Sequence, residues 1–425
     1  MQHKFYKLTS ENNKINKKIF FVIFRKIHGE IDWILPLINH FNKDHLFFAI
    51  IENEREIEVL KRNSFLYEKF INNFHGYFVE SKYKNFFERC FLKIFQTFFK
   101  KNKYIRFLNS FNSKYYSTKY LIKKIKINFK LEDKITIGVF ISYDKLFNNW
   151  ENQFSIEQNA STFYFPSSCS LKPTQISSNV VSKTNIKNKF LLLSNELDIG
   201  YWNKVYPELN QYIIGYPRYT DNWIEKIQAI KYKPNTFRIY LSYRRDLPDE
   251  KWFEKAIEQL DKIKLILKKI NKIFEIYVKL HPYTNQNELN NFLINEKNLN
   301  FILTNDHQQE ICKSSNFSIH FFRSASIMES LSTKTPAIEL WKLSSETFGS
   351  PYQDYNLSFF AKNEKELENY IVNLIKGDEF IKNEFSEKYK IFEKICLNND
   401  PVNRFNDLLN LKINSINNKS ILNKY

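Results

Sequence analysis

The stretch Phe274–Trp341 reads FEIYVKLHPYTNQNELNNFLINEKNLNFILTNDHQQEICKSSNFSIHFFRSASIMESLSTKTPAIELW, and it alternates short apolar runs with helical segments. Its apolar runs are Ile276–Leu280, Phe301–Leu303, Phe317–Phe322 and Ala337–Trp341. This rhythm of strand, helix, strand and helix predicts parallel strands joined by crossover helices. Sheets of that kind bind ligands beyond the carboxyl ends of their strands. The stretch therefore predicts the α/β class, with a ligand site where its strands end.

Polar residues follow two of the predicted strands at their carboxyl ends. Pro282 has no N–H to give to a sheet and biases His281 toward an extended backbone, so these two residues mark the end of a strand. Arg244 and Arg245 follow an earlier apolar strand. Two guanidinium groups can clamp a diphosphate, although an ion pair of one of them with Asp246 is an open alternative.

A third polar cluster, Ser324-Ala325-Ser326, opens a predicted helix. The free N–H groups and the positive dipole end of a helix favour a phosphate there, and the two hydroxyls add donors. Glu329 lies one helical turn further on, where a carboxylate can accept hydrogen bonds from ribose hydroxyls. A capping box between Ser326 and Glu329 is the alternative. Asp306 is the predicted N-cap of the preceding helix.

These motifs resemble the donor half of GT-B glycosyltransferases. The series Lys279–Pro282, Ser324–Glu329 and Lys334–Ile338 is similar to the bacterial surface-polysaccharide branch. That branch includes capsule polysaccharide enzymes, CDP-glycerol glycerophosphotransferases, and polysialyltransferases with their His-Pro and Ser motifs. Non-hydrolysing UDP-N-acetylglucosamine 2-epimerases share the architecture. Two positions depart from the pattern: Thr333–Pro336 lacks the usual Gly before Lys-Pro, and Arg323 replaces a commoner small or acidic residue.

The resemblance implies two Rossmann-like domains that face each other across a cleft, with the donor on the second domain and the acceptor on the first. It implies that His281 and Pro282, together with Ser324, Ala325 and Ser326, contact the nucleotide phosphates. It also implies that Glu329 contacts the ribose. In these enzymes a turn connects the first domain to the second, and Gly215, Pro217 and Arg218 resemble that turn.

The beginning of the chain resembles the start of a GT-B acceptor domain, with a strand predicted over Lys17–Arg25, a loop, and then a helix. Because the first loop of that domain faces the cleft, His28, Glu30 and Asp32 are candidates for a catalytic base. An acceptor hydroxyl must lose its proton as it attacks, and an imidazole or carboxylate takes it near neutral pH. The alternative is that Asp32 caps the helix and His28 is a turn residue.

Length and composition restrict the class of protein. A chain of 425 residues suits two domains of about 200 residues each, and an apolar fraction of 43% excludes disorder of the whole chain. Its four cysteines are scattered, which predicts neither a zinc site nor a disulfide framework and points to a reducing cytosol. We find no signal peptide and no run of about 18 apolar residues, so no membrane span is predicted.

The segment from 82 to 130 combines many lysines and aromatic residues with almost no acids. The apolar spacing over Phe91–Phe98 is helical. A basic, aromatic helix suits an anionic membrane surface, whereas a helix pair with a solvated lysine face is the alternative. No recognition motif accompanies the charge of +18, so no nucleic-acid partner is predicted.

We therefore predict an acceptor-side domain over residues 1–230 with a helical insertion at about 80–130, a nucleotide-sugar-binding domain over 231–400, and a terminal helix and tail over 401–425. The predicted function is a cytoplasmic glycosyltransferase, with contact at the inner face of the membrane left open. It moves a sugar or glycerophosphate-type unit from a CMP-, CDP- or UDP-linked donor to a surface glycan or lipid-linked glycan.

No cofactor or metal is expected, and no D-x-D triplet occurs in the sequence. Two other functions stay open from the sequence. One is a UDP-GlcNAc 2-epimerase-like isomerase, and the other is a non-catalytic assembly protein on the membrane surface.

Overall fold

The computed structural model describes residues 4–8, 18–24, 26–79, 118–131, 136–142, 154, 160–166, 171, 188–205, 207, 209–230, 236–243, 250–280, 293–296, 298–343 and 349–414. They form two compact units. The first holds residues up to 213 without 62–65 and 169–174, and the second holds those two short segments and everything from 214 onward. Each unit has its own sheet.

The first unit contains an eight-stranded sheet. Its strands are β1 (Lys4–Lys7), β2 (Ile19–Phe24), β3 (Leu46–Ile51), β4 (Gly76–Val79), β5 (Ile137–Ser142), β6 (Ser161–Phe165), β7 (Lys189–Leu193) and β8 (Asn210–Ile213). Their order is β1-β4-β3-β2-β5-β6-β7-β8, and only the pair of β1 with β4 is antiparallel. The helices described are α1 (Ile27–Phe41), α2 (Glu54–Lys61), α3 (Ser64–Asn73), α4 (Thr118–Phe129) and α5 (Leu197–Val205).

The apolar sequences of the central strands explain this sheet. β2 (IFFVIF) and β3 (LFFAII) are buried at every residue, as expected for parallel strands covered on both faces. Helix α4 covers part of one face, and its Leu121 and Ile125 join a core that contains Ile19 and Val139. The edge strand β1 escapes sequence prediction, because KFYK is short and half polar.

The second unit contains a six-stranded sheet in which all pairs are parallel. Its strands are β9 (Thr236–Tyr243), β10 (Ile273–Leu280), β11 (Leu299–Thr304), β12 (Phe317–His320), β13 (Ala337–Glu339) and β14 (Phe359–Phe360), in the order β11-β10-β9-β12-β13-β14. Its helices are α6 (Asp221–Ile224), α7 (Glu250–Lys269), α8 (Gln308–Lys313), α9 (Ser326–Ser332), α10 (Pro351–Asp354), α11 (Glu364–Lys376), α12 (Glu379–Phe392) and α13 (Pro401–Asn414). The predicted α/β class is confirmed.

Helix α1 begins earlier than the sequence predicts. It starts at Ile27, so His28 and Glu30 lie in its first turn and not in a loop. Asp32 lies inside the helix, and the alternative that it caps the helix is wrong. The pattern that continues from Ile27 onward is apolar at helical spacing, which is why the helix extends back to the end of the strand.

Two other helix boundaries differ from prediction. The N-cap of α8 is His307, which forms a capping box with Glu310, so the assignment of Asp306 as N-cap is wrong. The Asp306 carboxylate instead accepts the Thr304 hydroxyl at 2.7 Å. The helical pattern of the sequence over residues 364–395 predicts one helix, but it is broken at Gly377, whose φ of 67° lies in the left-handed region that glycine adopts without strain.

Candidate functional site

Three serine hydroxyls meet at the carboxyl ends of two neighbouring strands in the second unit. Ser242 lies near the end of β9, Ser324 follows β12, and Ser326 begins α9. The Oγ of Ser326 lies 2.8 Å from that of Ser242 and 2.6 Å from that of Ser324, and the Ser242 and Ser324 oxygens are 3.2 Å apart. All three residues are buried. This serine cluster occupies the edge of the sheet where parallel α/β sheets bind ligands.

The predicted phosphate contacts His281, Pro282, Arg244 and Arg245 lie outside the described residues. The strands that precede them in the sequence do end side by side, because Leu280 of β10 is paired with Tyr243 of β9. Their roles stay predictions.

Helix α9 begins at the predicted place. Ala325 is its N-cap and Ser326 its first residue. The helix has only seven residues, and the N–H groups of Ile327 and Met328 already donate to the carbonyls of Ser324 and Ala325. The serine hydroxyls are therefore the more prominent donors at this end of the helix.

Two residues near the start of the second unit, Arg218 and Tyr219, bind the Glu329 carboxylate. Its Oε2 lies 2.6 Å from Nη2 of Arg218, and its Oε1 accepts the hydroxyl of Tyr219 at 3.0 Å. Glu329 and Arg218 are both buried. The alternative of a capping box between Ser326 and Glu329 is wrong, because the carboxylate binds these two side chains and no side chain caps the helix. The proposed ribose contact stays a prediction.

The predicted turn is a 3₁₀ turn over Pro217–Tyr219, preceded by Gly215. Gly215 has a φ of 105°, and a Cβ there would lie 3.0 Å from Cβ of Asn399. A residue without a side chain is therefore required. Pro217 occupies the first position of the turn, where its fixed φ is favourable.

The candidate bases in the first unit have different surroundings. His28 is half-buried, and its Nδ1 lies 3.4 Å from Oε2 of Glu56 on α2. The same oxygen accepts the Ile27 N–H at 3.2 Å. Glu30 is only 2% exposed, whereas Asp32 is half-buried. Sequence reasoning missed Glu56, because only the packing of α2 against α1 brings it to His28.

Asp198 is a buried carboxyl beyond the carboxyl end of β7. It lies in the first turn of α5 and is 3% exposed. Burial raises its pKa to about 7, while hydrogen bonds from the backbone of Ser194 and Asn195 oppose that shift. The first unit therefore carries, at the same edge of its sheet, an imidazole beside a carboxylate and a carboxyl that titrates near neutral pH.

His320 is a second residue that sequence reasoning missed. It ends β12, is fully buried, and contacts the serine cluster through Ser326. The alternation Ser318-x-His320 places both side chains on one face of the strand and is the sequence feature that would have identified the pair.

Both departures from the GT-B sequence pattern fall at a left-handed backbone. Arg323 has a φ of 60° and Lys334 a φ of 58°, both in the left-handed region. Helix α9 ends in a Schellman motif, in which Thr335 N donates to Ser330 O at 2.8 Å and Lys334 N to Leu331 O at 2.9 Å. Lys334 thus occupies the position after a helix that glycine usually fills.

Among the described residues, no group of His, Cys, Asp and Glu has the arrangement of a metal site. Within the same part of the chain, no helix is long and apolar enough to cross a membrane.

No family model matches the chain, and no curated protein matches it. Solved structures do match over nearly its whole length. A putative UDP-N-acetylglucosamine 2-epimerase from Listeria monocytogenes is 10% identical with a TM-score of 0.55, and the match covers 94% of this chain and 97% of that one. MnaA from S. aureus, solved with UDP, is 13% identical with a TM-score of 0.53 over 93% and 97% of the two chains.

A glycosyltransferase from Rickettsia africae is 12% identical with a TM-score of 0.51, over 94% of this chain and all of that one. At these identities the likeness shows the fold alone. The chain has the two Rossmann-like sheets of the GT-B fold, as its sequence predicts.

Proposed function

We propose that this protein is a GT-B transferase that moves a sugar, or a glycerophosphate-type unit, from a nucleotide-activated donor to a surface-glycan acceptor. The second unit binds the donor nucleotide, CMP-, CDP- or UDP-linked, and the first unit supplies the base. The enzyme works in the cytoplasm without a metal ion.

The serine cluster is the observation that carries this proposal. Three hydroxyls converge at the carboxyl ends of β9 and β12, and Arg244, Arg245 and His281 follow β9 and β10 in the sequence. Hydroxyl, guanidinium and imidazole donors together suit the phosphates of a leaving nucleotide, whose developing charge they stabilise.

His28 is our preferred base among the three candidates. Its ring is half-buried and adjoins the Glu56 carboxylate, which can hold Nδ1–H and leave Nε2 to accept a proton. Glu30 is almost fully buried and therefore less suited to meet an acceptor. In this role Glu56 acts through His28, as a positioning residue.

The test is a calorimetric titration of the purified protein with UDP, CMP and CDP. We expect at least one of them to bind, and S242A, S324A or S326A to weaken it about 10-fold or more, because each removes a hydroxyl from the hydrogen-bonded cluster that donates to a charged phosphate. S315A is the matched control, since the Ser315 hydroxyl gives its hydrogen to the Ile311 carbonyl at the end of α8. A folded wild-type protein that binds none of the three nucleotides would refute the proposal. If H281A binds as tightly as wild type, only the role of His281 is lost.

A second incubation separates the transferase from an isomerase. UDP-GlcNAc alone, without any acceptor, should be recovered unchanged by a transferase. Conversion to the 2-epimer would instead identify an epimerase that uses the same nucleotide site.

We also propose that α4 meets an anionic membrane. This helix has no acidic residue, and its exposed side includes Lys119, Lys123, Tyr120 and Ile127, the last two 41% and 67% exposed. Lysines with an aromatic and an aliphatic side chain suit a lipid headgroup region. We expect K119E/K123E to lose sedimentation with phosphatidylglycerol vesicles, and the exposed pair K365E/K376E on α11 to retain it. Equal loss in both variants would mean that only net charge matters.

A further inference from the structure

The imidazole of His320 is fixed entirely by serine hydroxyls. Its Nδ1 lies 2.8 Å from Oγ of Ser326, and its Nε2 lies 2.8 Å from Oγ of Ser318 and 3.0 Å from Oγ of Ser330. The residue is fully buried, with the ring of Tyr240 edge-on at 5.5 Å. Three polar contacts to one buried ring are more than packing requires, so the ring has a defined orientation.

This imidazole is neutral at physiological pH. Burial lowers the pKa of His320 to about 3. A neutral imidazole has one N–H donor and one acceptor nitrogen, so the choice of donor nitrogen determines the direction of every hydrogen bond around the ring.

The geometry of the serine cluster selects the donor nitrogen. Ser326 donates its hydroxyl hydrogen to Oγ of Ser242 at 2.8 Å, and a hydroxyl has only one hydrogen. Ser326 can therefore only accept from His320, which makes Nδ1 the N–H donor. Nε2 is then the acceptor, and the hydroxyl of Ser330 or Ser318 donates to it.

The consequence reaches Ser242. The two lone pairs of the Ser326 oxygen accept Nδ1–H and the hydroxyl of Ser324, whose Oγ lies 2.6 Å away, while the hydrogen of Ser326 goes to Ser242. Ser242 therefore accepts from Ser326 and keeps its own hydrogen, which can turn to a ligand because Ser324 lies 3.2 Å away. A ring that is itself out of reach of the nucleotide thus determines which serine donates to it.

We propose that His320 is a positioning residue of the nucleotide site, whose Nδ1–H holds Ser326 as the donor to Ser242 and leaves the Ser242 hydroxyl to donate to a phosphate oxygen. This inference rests on the proposed nucleotide site. It assigns Ser324 and Ser326 to the scaffold of that site and Ser242 to the ligand.

Two amide substitutions test it. In H320N the side-chain amide N–H₂ lies near the place of Nδ1 and can still donate to Ser326, whereas in H320Q the amide reaches the Nε2 end, toward Ser318 and Ser330. Calorimetric titration with the nucleotide that wild type binds should give an affinity within about 3-fold of wild type for H320N and a loss of about 10-fold or more for H320Q. S318A, which removes a partner only at Nε2, should keep the affinity.

Nitrogen NMR of the wild-type ring provides a measurement that needs no variant to fold. It should find the hydrogen on Nδ1, and a hydrogen on Nε2 would overturn the inference. Equal loss of affinity in H320N and H320Q would also overturn it, since a merely structural histidine would produce that result. A wild-type protein that binds no nucleotide refutes the proposed function and this inference together, whereas binding that is the same in all variants refutes the inference alone.

Discussion

The two sheets carry different kinds of side chains beyond the carboxyl ends of their strands. Beyond the carboxyl ends of the first sheet lie ionisable groups, namely His28 beside Glu56 and the buried carboxyl of Asp198. Beyond β9 and β12 of the second sheet lie the neutral hydroxyls of the serine cluster and the uncharged ring of His320. The first edge thus carries groups that can exchange protons, and the second carries groups that can donate hydrogen bonds without changing charge. The transferase proposed above requires this difference between its base and its leaving-group site.

The second unit holds a buried ion pair on α9, between Arg218 and Glu329. Replacing Arg218 by Met should lower the free energy of unfolding by about 3–5 kcal/mol, because Glu329 would keep a buried charge without its partner. Urea unfolding monitored by circular dichroism measures it.

The control is R55M, which changes an exposed arginine on α2 and should shift stability by no more than about 0.5 kcal/mol. R218M/E329Q, which removes both charges, should recover most of the loss. If it recovers the stability but not the nucleotide affinity, the carboxylate of Glu329 also serves the ligand. A single R218M that unfolds no more easily than R55M would contradict the importance of the pair.

The buried carboxyl of Asp198 in the first unit predicts a pH dependence of stability. Burial raises the pKa of Asp198 from 3.8 to about 7. Between these values the folded protein holds one more proton than the unfolded chain, so the stability that Asp198 contributes is full below about pH 4 and is lost as the pH rises to 7. D198N cannot ionise, and it should be more stable than wild type at pH 8 by at most roughly 4 kcal/mol and similar at pH 4.

Measuring the free energy of unfolding of both proteins from pH 4 to 8 gives this difference directly. D261N, on the exposed side of α7, controls for the loss of one negative charge. A constant difference between wild type and D198N across that range would mean that Asp198 is already ionised in the folded protein at pH 4.

Separate measurements of donor turnover and nucleotide affinity test the proposed role of Glu56. E56Q should lower the turnover of the donor about 10- to 100-fold, because the amide no longer supports a protonated His28, and it should leave nucleotide affinity unchanged. H28A/E56Q should be no slower than H28A, since two residues that act as one unit have non-additive effects. Additive effects of the two substitutions would show that they act independently.

Structural features that depend on neighbouring residues could be predicted from the sequence. The parallel strands follow from apolar runs such as Ile276–Leu280, and the start of α9 follows from Ser324-Ala325-Ser326, so both could be predicted. Contacts between distant segments could not. Arg218 and Glu329 are 111 residues apart, and His28 and Glu56 belong to two different helices.

His320 shows a further obstacle. The alternation Ser318-x-His320 puts two polar side chains on one face of β12, but only the folded chain shows that three serine hydroxyls surround the ring. The predicted N-cap of α8 is wrong for a similar reason. Asp306 has the side chain of an N-cap, but His307 with Glu310 forms a better box one residue later.

The smallest predicted effect concerns the end of α9, where the chain departs from the pattern of the enzymes that its sequence resembles. Lys334 has a φ of 58°, which costs a non-glycine residue about 1–2 kcal/mol. Glycine relieves that cost but loses about 0.5–1 kcal/mol of backbone entropy, and the contact of Nζ with the Tyr389 ring at 5.4 Å disappears as well. K334G should therefore change stability by less than about 1 kcal/mol and leave nucleotide affinity unaltered. K334A shares the lost contact without the relief, so it should be the less stable variant in thermal melts. If K334A proves as stable as K334G, the left-handed backbone at this position carries no cost, and the lysine in place of the usual glycine needs another reason.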